Sequence, residues 1–417
     1  MNAPAFVFPD NPAALATSRE LGRAGIPVTL VTSRDGPASL SRYARVMRAP
    51  DFYSEPGAWL SFMVAQAKRC PAPPVLMPTE DAALLVADAF RVELSTVARF
   101  PYPAGAQNGG GAHSSNGRPV PHVLDKLELY TAASDLGIAV PEFREIHVPD
   151  AWPSGEDDAK WLVKPSCRYH FEARRGIASF LSLTGGSKAI EGSVRDAART
   201  VLGAGFRCMA QEKIPGPFEQ LVSVGLCLDR DGRVPAAFFT RKRCEYPEPF
   251  GDGLVVETID DPGILEDSVR LLRKLGYWGI CDVEYKRDDR DGRFKLLDAN
   301  PRTWLWVGLA ETAGCAPLAV AAYRLALGDG LLPDEAIGQR RGRAGLTWVS
   351  PRGAAAFLLR QYRPARHGRG LPMALTLGAL RTMLRNLRAF RDPLYARPST
   401  WPALVAAATR KENRDRI

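Results

Sequence analysis

"GICDVEYKRDDRDGRFKLLDANPR", residues 279–302, reads as a β-hairpin. Two apolar-polar alternations flank a charged turn that contains glycine. A three-residue loop, Arg290-Asp291-Gly292, puts Gly292 at the left-handed position such loops favour. That register sets Glu284 opposite Asp298 and Asp282 opposite Asn300, all on one face. Val283, Tyr285, Leu297 and Ala299 are then expected on the other face, against a core. A two-residue Asp291-Gly292 turn would separate Glu284 from Asp298. Several carboxylates on one face repel unless a cation lies among them. Oxygen ligands without His or Cys suit Mg2+ or Mn2+. Arg302 and the aromatic "TWLW" (303–306) follow directly, which is unlike a solvated strand face.

Other charged residues upstream fall at strand and helix ends. In "QEKIPGPFE" (211–219), Glu212 and Ile214 lie at a strand end and Glu219 follows seven residues after Glu212. A carboxylate there can bind a ribose diol, and strand-end backbone groups can read an adenine edge. Lys164 ends the apolar strand "WLVKP", where a lysine costs desolvation unless it meets an anion. Lys126 opens a helix, with Asp125 before it.

The chain has 417 residues. At roughly 150 residues per domain, two or three domains are expected. "AFVFP" (5–9), a helix opened by Asn11-Pro12 and ended at Gly25, and "PVTLVTS" (27–33) form a βαβ unit of a parallel sheet. "PVLMPT" (74–79) reads as a further strand. No G-x-G-x-x-G occupies the first βα turn, so a dinucleotide site is not expected. Residues 104–121 read as a linker and 124–138 as one helix. Residues 166–188 read as a mobile hairpin or flap. Strands 160–165, 208–216, 221–228 and 234–240 and helices 193–205 and 261–276 complete the order.

Seven scattered cysteines with no C-x-x-C pair read as reduced thiols. The start, "MNAPAFVFPD", has no signal-peptide pattern, and no apolar run reaches the ~18 residues of a membrane span. A cytoplasmic protein is expected. The net charge is +9, and residues 340–417 carry 17 Arg or Lys against 3 Asp or Glu, so the rest sums to −5. In the tail, 371–391 has helical spacing with Arg381, Arg385 and Arg388 on one face. A packed helical subdomain is expected there. Peripheral membrane contact through the tail is the less favoured reading, a homodimer stands as an alternative to a monomer, and no nucleic-acid motif is present.

Taken in order, "LDK…GIAVPEF", "WLVKP", "QEKIPG…E", "FFTRKR" and "DVEYK…DG…KLLDANPR" resemble the ATP-grasp superfamily, nearest its carboxylate–amine ligase branch with D-aspartate ligase-like proteins. The resemblance runs over roughly residues 5–325. It implies an α/β (α+β) fold, an ATP-grasp domain (119–329) after a small parallel α/β domain (1–118), then a basic helical region (330–417). It implies ATP and Mg2+ (or Mn2+) as cofactors. Lys126 and Lys164 would hold the phosphates, and Lys188, after "TGGS", would close the flap over them. Gln211, Glu212 and the backbone near Ile214 would belong to the nucleotide site at the adenine, and Glu219 at the ribose. Glu284, Asp298 and Asn300 would bind the metal. Arg302, and Arg241 or Lys242, would stabilise the transferring phosphoryl group or an acyl phosphate. The implied reaction joins a small-molecule carboxylate to an amine, with amino acids among the candidate substrates and ADP and phosphate released. A carboxyphosphate-using carboxylase and a degenerate nucleotide-binding regulatory or membrane-associated protein are the alternatives. The family usually has Glu at the position of Asp298, and its "RKLRQYP" pattern stands here as "RKRCEYP" (241–247), with Cys244 in place of an arginine.

Overall fold

The computed structural model describes residues 3–104, 119–153, 157–167, 169–174, 177–182, 193–246, 252–328 and 342–350, with the backbone alone described in 169–182. Lys188, most of the linker and the basic tail helix lie outside the described residues.

A parallel sheet comes first. Its elements are β1 (Ala5–Phe8), α1 (Pro12–Arg23), β2 (Val28–Thr32), β3 (Ala44–Arg48), α2 (Pro56–Ala67), β4 (Val75–Pro78), α3 (Asp81–Ala89) and α4 (Arg91–Ser95). The strand order is β3-β2-β1-β4, all parallel. β1 and β4 are buried on both faces, which is why they read as unbroken apolar runs. Helix α1 starts where the sequence places it. The Asn11 side chain accepts the Ala14 N–H at 2.8 Å, and Pro12 takes the first helical position. Gly25, just past its end, has φ 74°.

Residues 119–138 depart from expectation. A short helix, α5 (Pro119–Leu124), begins inside the expected linker, and the helix expected over 124–138 runs as α6 (Lys126–Asp135). Asp125 is extended between them, and its side chain caps α6 by accepting the Leu127 and Glu128 N–H groups. The cap makes Lys126 the first residue of α6.

Next come β5 (Phe143–Ile146), β6 (Trp161–Pro165), β7 (Tyr169–Arg174), β8 (Ile177–Ser182), α7 (Val194–Gly203) and β9 (Cys208–Glu212). β5-β9-β6 form an antiparallel sheet, and the apolar side of α7 packs with Trp161, Val163, Cys208 and Ala210 from it. β7 and β8 pair as the expected hairpin.

The last elements are β10 (Leu221–Leu228), β11 (Ala236–Tyr246), β12 (Asp252–Ile259), α8 (Leu265–Lys274), β13 (Gly279–Arg287), β14 (Phe294–Asn300), α9 (Leu309–Thr312), α10 (Leu318–Leu327) and β15 (Thr347–Val349). They build a six-stranded antiparallel sheet, ordered β14-β13-β10-β11-β12-β15. One face is apolar: Val224, Leu226, Val283, Tyr285 and Ala299 join a core with Leu127, Tyr130, Leu271 and Leu272 of α6 and α8. The other face is divided. Its apolar end, with Cys227, Phe238, Val256, Ile280, Trp304 and Trp306, packs with residues of α1 and α10. Its polar end carries Ser223, Thr240, Asp282 and Glu284. Glu20 of α1, fully buried, accepts the Ala319 N–H at 2.9 Å and so caps α10, while burial pushes its carboxyl up to about 8.

Gly225 marks the division between the two ends. A Cβ there would lie 2.3 Å from Trp304 Cζ2 and 2.6 Å from Phe238 Cε1. The Trp304 and Phe238 rings stack at 6.0 Å, so neither has room to withdraw. Gly225→Ala is expected to destabilise the fold by about 1–3 kcal/mol through overpacking. A urea midpoint unchanged from wild type would show that the rings yield instead.

The opening hairpin keeps the expected pairing near its base by another route. Asp282 pairs with Asn300 and Glu284 with Asp298, but Tyr285 pairs with Leu296. The turn is one residue longer than a three-residue loop: Asp288 N–H donates to Arg293 O, and Gly292, with φ 70°, donates to Asp288 O. A bulge at Leu297 restores the register. Leu296, not Leu297, is therefore the core residue, and the Tyr130 hydroxyl meets the Leu297 carbonyl at 2.9 Å.

Among the described residues no helix is long and apolar enough to cross a membrane. Cys70, Cys208, Cys227 and Cys281 are free thiols.

Candidate active site

The start of α6 and the end of β6 are tied together. Lys126 N–H donates to Ser166 O at 2.7 Å, and the Ser166 hydroxyl donates to Asp125 Oδ2 at 3.0 Å. These bonds bring Lys126 and Lys164 near one another over the polar end of the six-stranded sheet. Lys126 Nζ donates to Asp298 Oδ1 at 2.6 Å. Lys164 Nζ donates to Gln211 Oε1 at 2.8 Å, and the Tyr130 hydroxyl reaches the same oxygen at 3.0 Å. From β11, Lys242 Nζ donates to Glu284 Oε2 at 3.2 Å. The other oxygen of Glu284 accepts from Asn300 Nδ2, also at 3.2 Å. Arg302 Nη2 donates to Asn300 Oδ1 at 3.3 Å, which sets the orientation of that amide. Arg302 Nε donates to Asp81 Oδ1, at the start of α3, and Nη1 to Thr303 O.

These contacts decide the protonation states. Burial and then the positive charge of Lys126 lower Lys164 to about 8. Burial works against Lys126 as well, but Asp298 outweighs it and holds that lysine above its ordinary value. Lys242 behaves likewise, with Glu284 overcoming its burial. Glu284 is held below the usual carboxylate range because Lys242 and Lys126 outweigh its own burial. Arg302 is raised, since Asp81 offsets its desolvation.

Not every expected residue joins this group. Arg241 lies on the opposite sheet face from Lys242 and donates to Glu257 Oε1 at 3.1 and 2.7 Å. A bulge at Arg243 brings that residue to the same carboxylate, 2.8 Å from Oε2. Of the two, Lys242 is the one whose side chain reaches the face bearing Glu284. Glu212 is buried and bound to Arg290 Nη1, which lowers its carboxyl, with Lys160 3.7 Å away. The Ile214 carbonyl accepts from Lys286 Nζ at 2.9 Å, and Gly216 O does so at 2.7 Å. Glu219 lies on a single 3-10 turn, Phe218–Gln220.

Glu284, Asp298 and Asn300 share the face, yet among the described residues no three His, Cys, Asp or Glu side chains converge on one point. Asp298 is drawn to Lys126, and Glu284 to Lys242 and Asn300. The donors still fit a small hard cation: all are oxygens, Glu284 and Asn300 already touch, and Asp298 is the cross-strand partner of Glu284. For Asn300 Oδ1 to join them, the amide must turn away from Arg302.

Residues 257–333, which hold all three of these side chains and Arg302, match the family model for the carbamoyl-phosphate synthase L chain, ATP binding domain. A 69-residue stretch is 29% identical to the carbamoyl phosphate synthase large chain of Methanobrevibacter smithii, covering 16% of this chain and 6% of that one. The chain thus spans only a small part of that relative. Three solved structures share the fold over most of their length. The L-amino acid ligase of Bacillus licheniformis is 14% identical, with TM-score 0.51, covering 78% of this chain and 74% of that one. An ADP complex of an N5-carboxyaminoimidazole ribonucleotide synthetase is 13% identical, with TM-score 0.58, covering 87% and 85%. The biotin carboxylase of Campylobacter jejuni is 14% identical, with TM-score 0.57, covering 83% and 74%.

The chain has the ATP-grasp fold. Four contributors to the site escaped the sequence reading. Asp81 pairs with Arg302 across 221 positions. Tyr130 joins Gln211 to the bulge. Lys286 gathers the Ile214 and Gly216 carbonyls, and Arg290 takes Glu212. One signal was available for Asp81. It follows a parallel strand, and ligand sites in open α/β sheets gather at strand C-termini.

Proposed function

We propose that this chain is an ATP- and Mg2+-dependent ligase that activates a carboxylate as an acyl phosphate for attack by an amine. The observation that carries the proposal is the arrival of Lys126, Lys164 and Lys242, from three separate elements, at the face bearing Glu284, Asp298 and Asn300. Ammonium groups interleaved with hard oxygen donors suit a polyphosphate and its divalent ion. Glu284, Asp298 and Asn300 would hold that ion, which when bound offsets phosphate charge.

Lys126 and Lys164 would hold phosphate oxygens, with Gln211 and Tyr130 aiming Lys164. Glu212, the backbone near Ile214, and Glu219 would face the nucleoside. Lys242 and Arg302 would offset charge on the transferring group. In the first step a substrate carboxylate oxygen bonds to the γ-phosphorus and the bond to ADP breaks. In the second an amine bonds to the acyl carbon, phosphate leaves, and the amine proton passes to solvent. Positioning and charge compensation suffice for both, and no side-chain nucleophile is needed.

Incubation with ATP, hydroxylamine and a panel of carboxylic acids is expected to give a hydroxamate and ADP. Release of AMP would overturn the acyl-phosphate route. Two of the similar structures are a carboxylase and a carboxyamino-forming synthetase, so a carboxyphosphate route is the second reading. ADP release that depends on bicarbonate and not on an added acid would favour it.

A further inference from the structure

The site face of β14 depends on its one bulge. Tyr285 pairs with Leu296 and Glu284 with Asp298, so Leu297 has no partner on β13. Were the ladder to continue straight from Tyr285 and Leu296, Glu284 would face Leu297 and Val283 would face Asp298. Val283 and Tyr285 are 0% and 1% exposed and belong to the apolar core. The straight register would therefore turn Asp298 and Asn300 toward that core, at the cost of burying their polar groups there. Two of the three metal-facing side chains stay on the site face only while Leu297 stays out of the ladder.

A bulge takes its extra residue out of the pairing, and the backbone groups it frees need partners from elsewhere. Helix α6 and the segment after it supply them. Leu296 N–H donates to Ala139 O at 2.8 Å, and the Tyr130 hydroxyl donates to Leu297 O at 2.9 Å. Tyr130 is fully buried, and its ring meets Phe143 edge-on with centroids 5.4 Å apart, so packing aims the hydroxyl. Burial, and then the charge of Asp298, hold that hydroxyl well above the ordinary tyrosine value, so it remains a donor. The hydroxyl also reaches Gln211 Oε1 at 3.0 Å, but that oxygen already accepts from Lys164 Nζ at 2.8 Å. A hydroxyl has a single proton to give. The Leu297 carbonyl is the nearer acceptor and belongs to the residue without a strand partner.

We propose that Tyr130 is a positioning residue for the metal face: through Leu297 O it holds the bulge that keeps Asp298 and Asn300 opposite Glu284 and Asp282. This role rests on reading Glu284, Asp298 and Asn300 as donors to a divalent ion; the tie to the bulge does not. It matters most for Asp298, a carboxylate one methylene shorter than glutamate. Asp298 Oδ1 accepts from Lys126 Nζ at 2.6 Å and from the Ala299 N–H at 3.0 Å, so the side chain lies back along its own strand. Its reach is set by the backbone beneath it, and a short side chain cannot swing to recover a shift of that backbone.

Tyr130→Phe keeps the ring and removes the hydroxyl alone. In the nucleotide-free protein, Mn2+ binding followed by paramagnetic resonance is expected to weaken about tenfold or more, the usual cost of losing a group that orients a metal ligand. Without metal, peptide-resolved hydrogen exchange should quicken by about tenfold over 294–300, as loss of one hydrogen bond implies, and stay unchanged over 221–228. Leu272→Val loosens the same core from α8 without touching the bulge, and should alter neither Mn2+ affinity nor exchange over 294–300. Unchanged exchange over 294–300 in Tyr130→Phe overturns the inference. So does an equal loss of Mn2+ affinity in Leu272→Val, which would make the effect one of general loosening. Mn2+ bound equally by wild type and Tyr130→Phe refutes the role of Tyr130 alone, whereas wild type that binds no Mn2+ refutes the metal face itself. Hydroxamate formation is scored separately: the Mn2+ loss without hydroxamate from wild type refutes the ligase proposal and upholds the role of Tyr130.

Discussion

Glu284→Ala is expected to lower kcat/KM for ADP release by about 10³-fold, in the range seen when one preorganised charge-stabilising group is removed. Among the described residues Glu284 is the one side chain that meets both Lys242 and Asn300 directly, and it also acts on Lys126 and Lys164. Its loss removes a metal-facing carboxylate. It also leaves Lys242 buried without its carboxylate, while Asn300 loses its acceptor. Glu284→Gln separates these effects, because an amide can keep a bond to Asn300 while removing the charge. If charge for the metal is what matters, both variants lose Mn2+ affinity and turnover together. If Glu284 only orders its neighbours, Glu284→Gln should recover most activity. Turnover near wild type in Glu284→Ala, with the protein folded by circular dichroism, would remove the metal face from the mechanism.

The polarity of that face was legible in the sequence because strand alternation is local: Asp282, Glu284, Asp298 and Asn300 fall in one 24-residue hairpin. The details of the hairpin were not. A longer turn and a bulge at Leu297 cancel each other, so the pairing at the site came out as expected while Leu296 and Leu297 exchanged places. Cancelling irregularities leave no trace in an alternation pattern. Lys242 and Arg241 could not be told apart, since neighbouring strand residues face opposite ways and only the pairing partners show which way is inward. Asp81 and Trp304 were harder still. Their relevance comes from contacts between segments far apart in the chain, with Arg302 and Gly225. Lys164 was flagged by its cost in an apolar strand, and the structure shows a neutral amide as its nearest partner.

That partner makes the second large prediction. Lys164 Nζ meets Gln211 Oε1 rather than a carboxylate, and Lys126 lies near enough to repel it. The free protein therefore holds Lys164 at about 8, ready for an anion to restore its charge. Lys164→Met should weaken ADP and ATP binding by about 10–150-fold, the worth of a charged hydrogen bond. Below about 8 the wild-type lysine is already protonated and affinity should be flat with pH. Above it, binding must take up a proton, so affinity should fall by up to about tenfold per pH unit until the bound-state value is reached. Stability should run the other way. The unfolded chain holds the Lys164 proton up to the ordinary lysine value, so as pH rises from about 8 the unfolded state binds more protons and the fold gains. Lys164→Met should remove both slopes and stabilise the nucleotide-free protein at neutral pH, because a buried, poorly compensated charge is gone. Calorimetry in two buffers of different ionisation enthalpy reads the proton uptake directly. Equal uptake in wild type and Lys164→Met would assign the titrating group elsewhere.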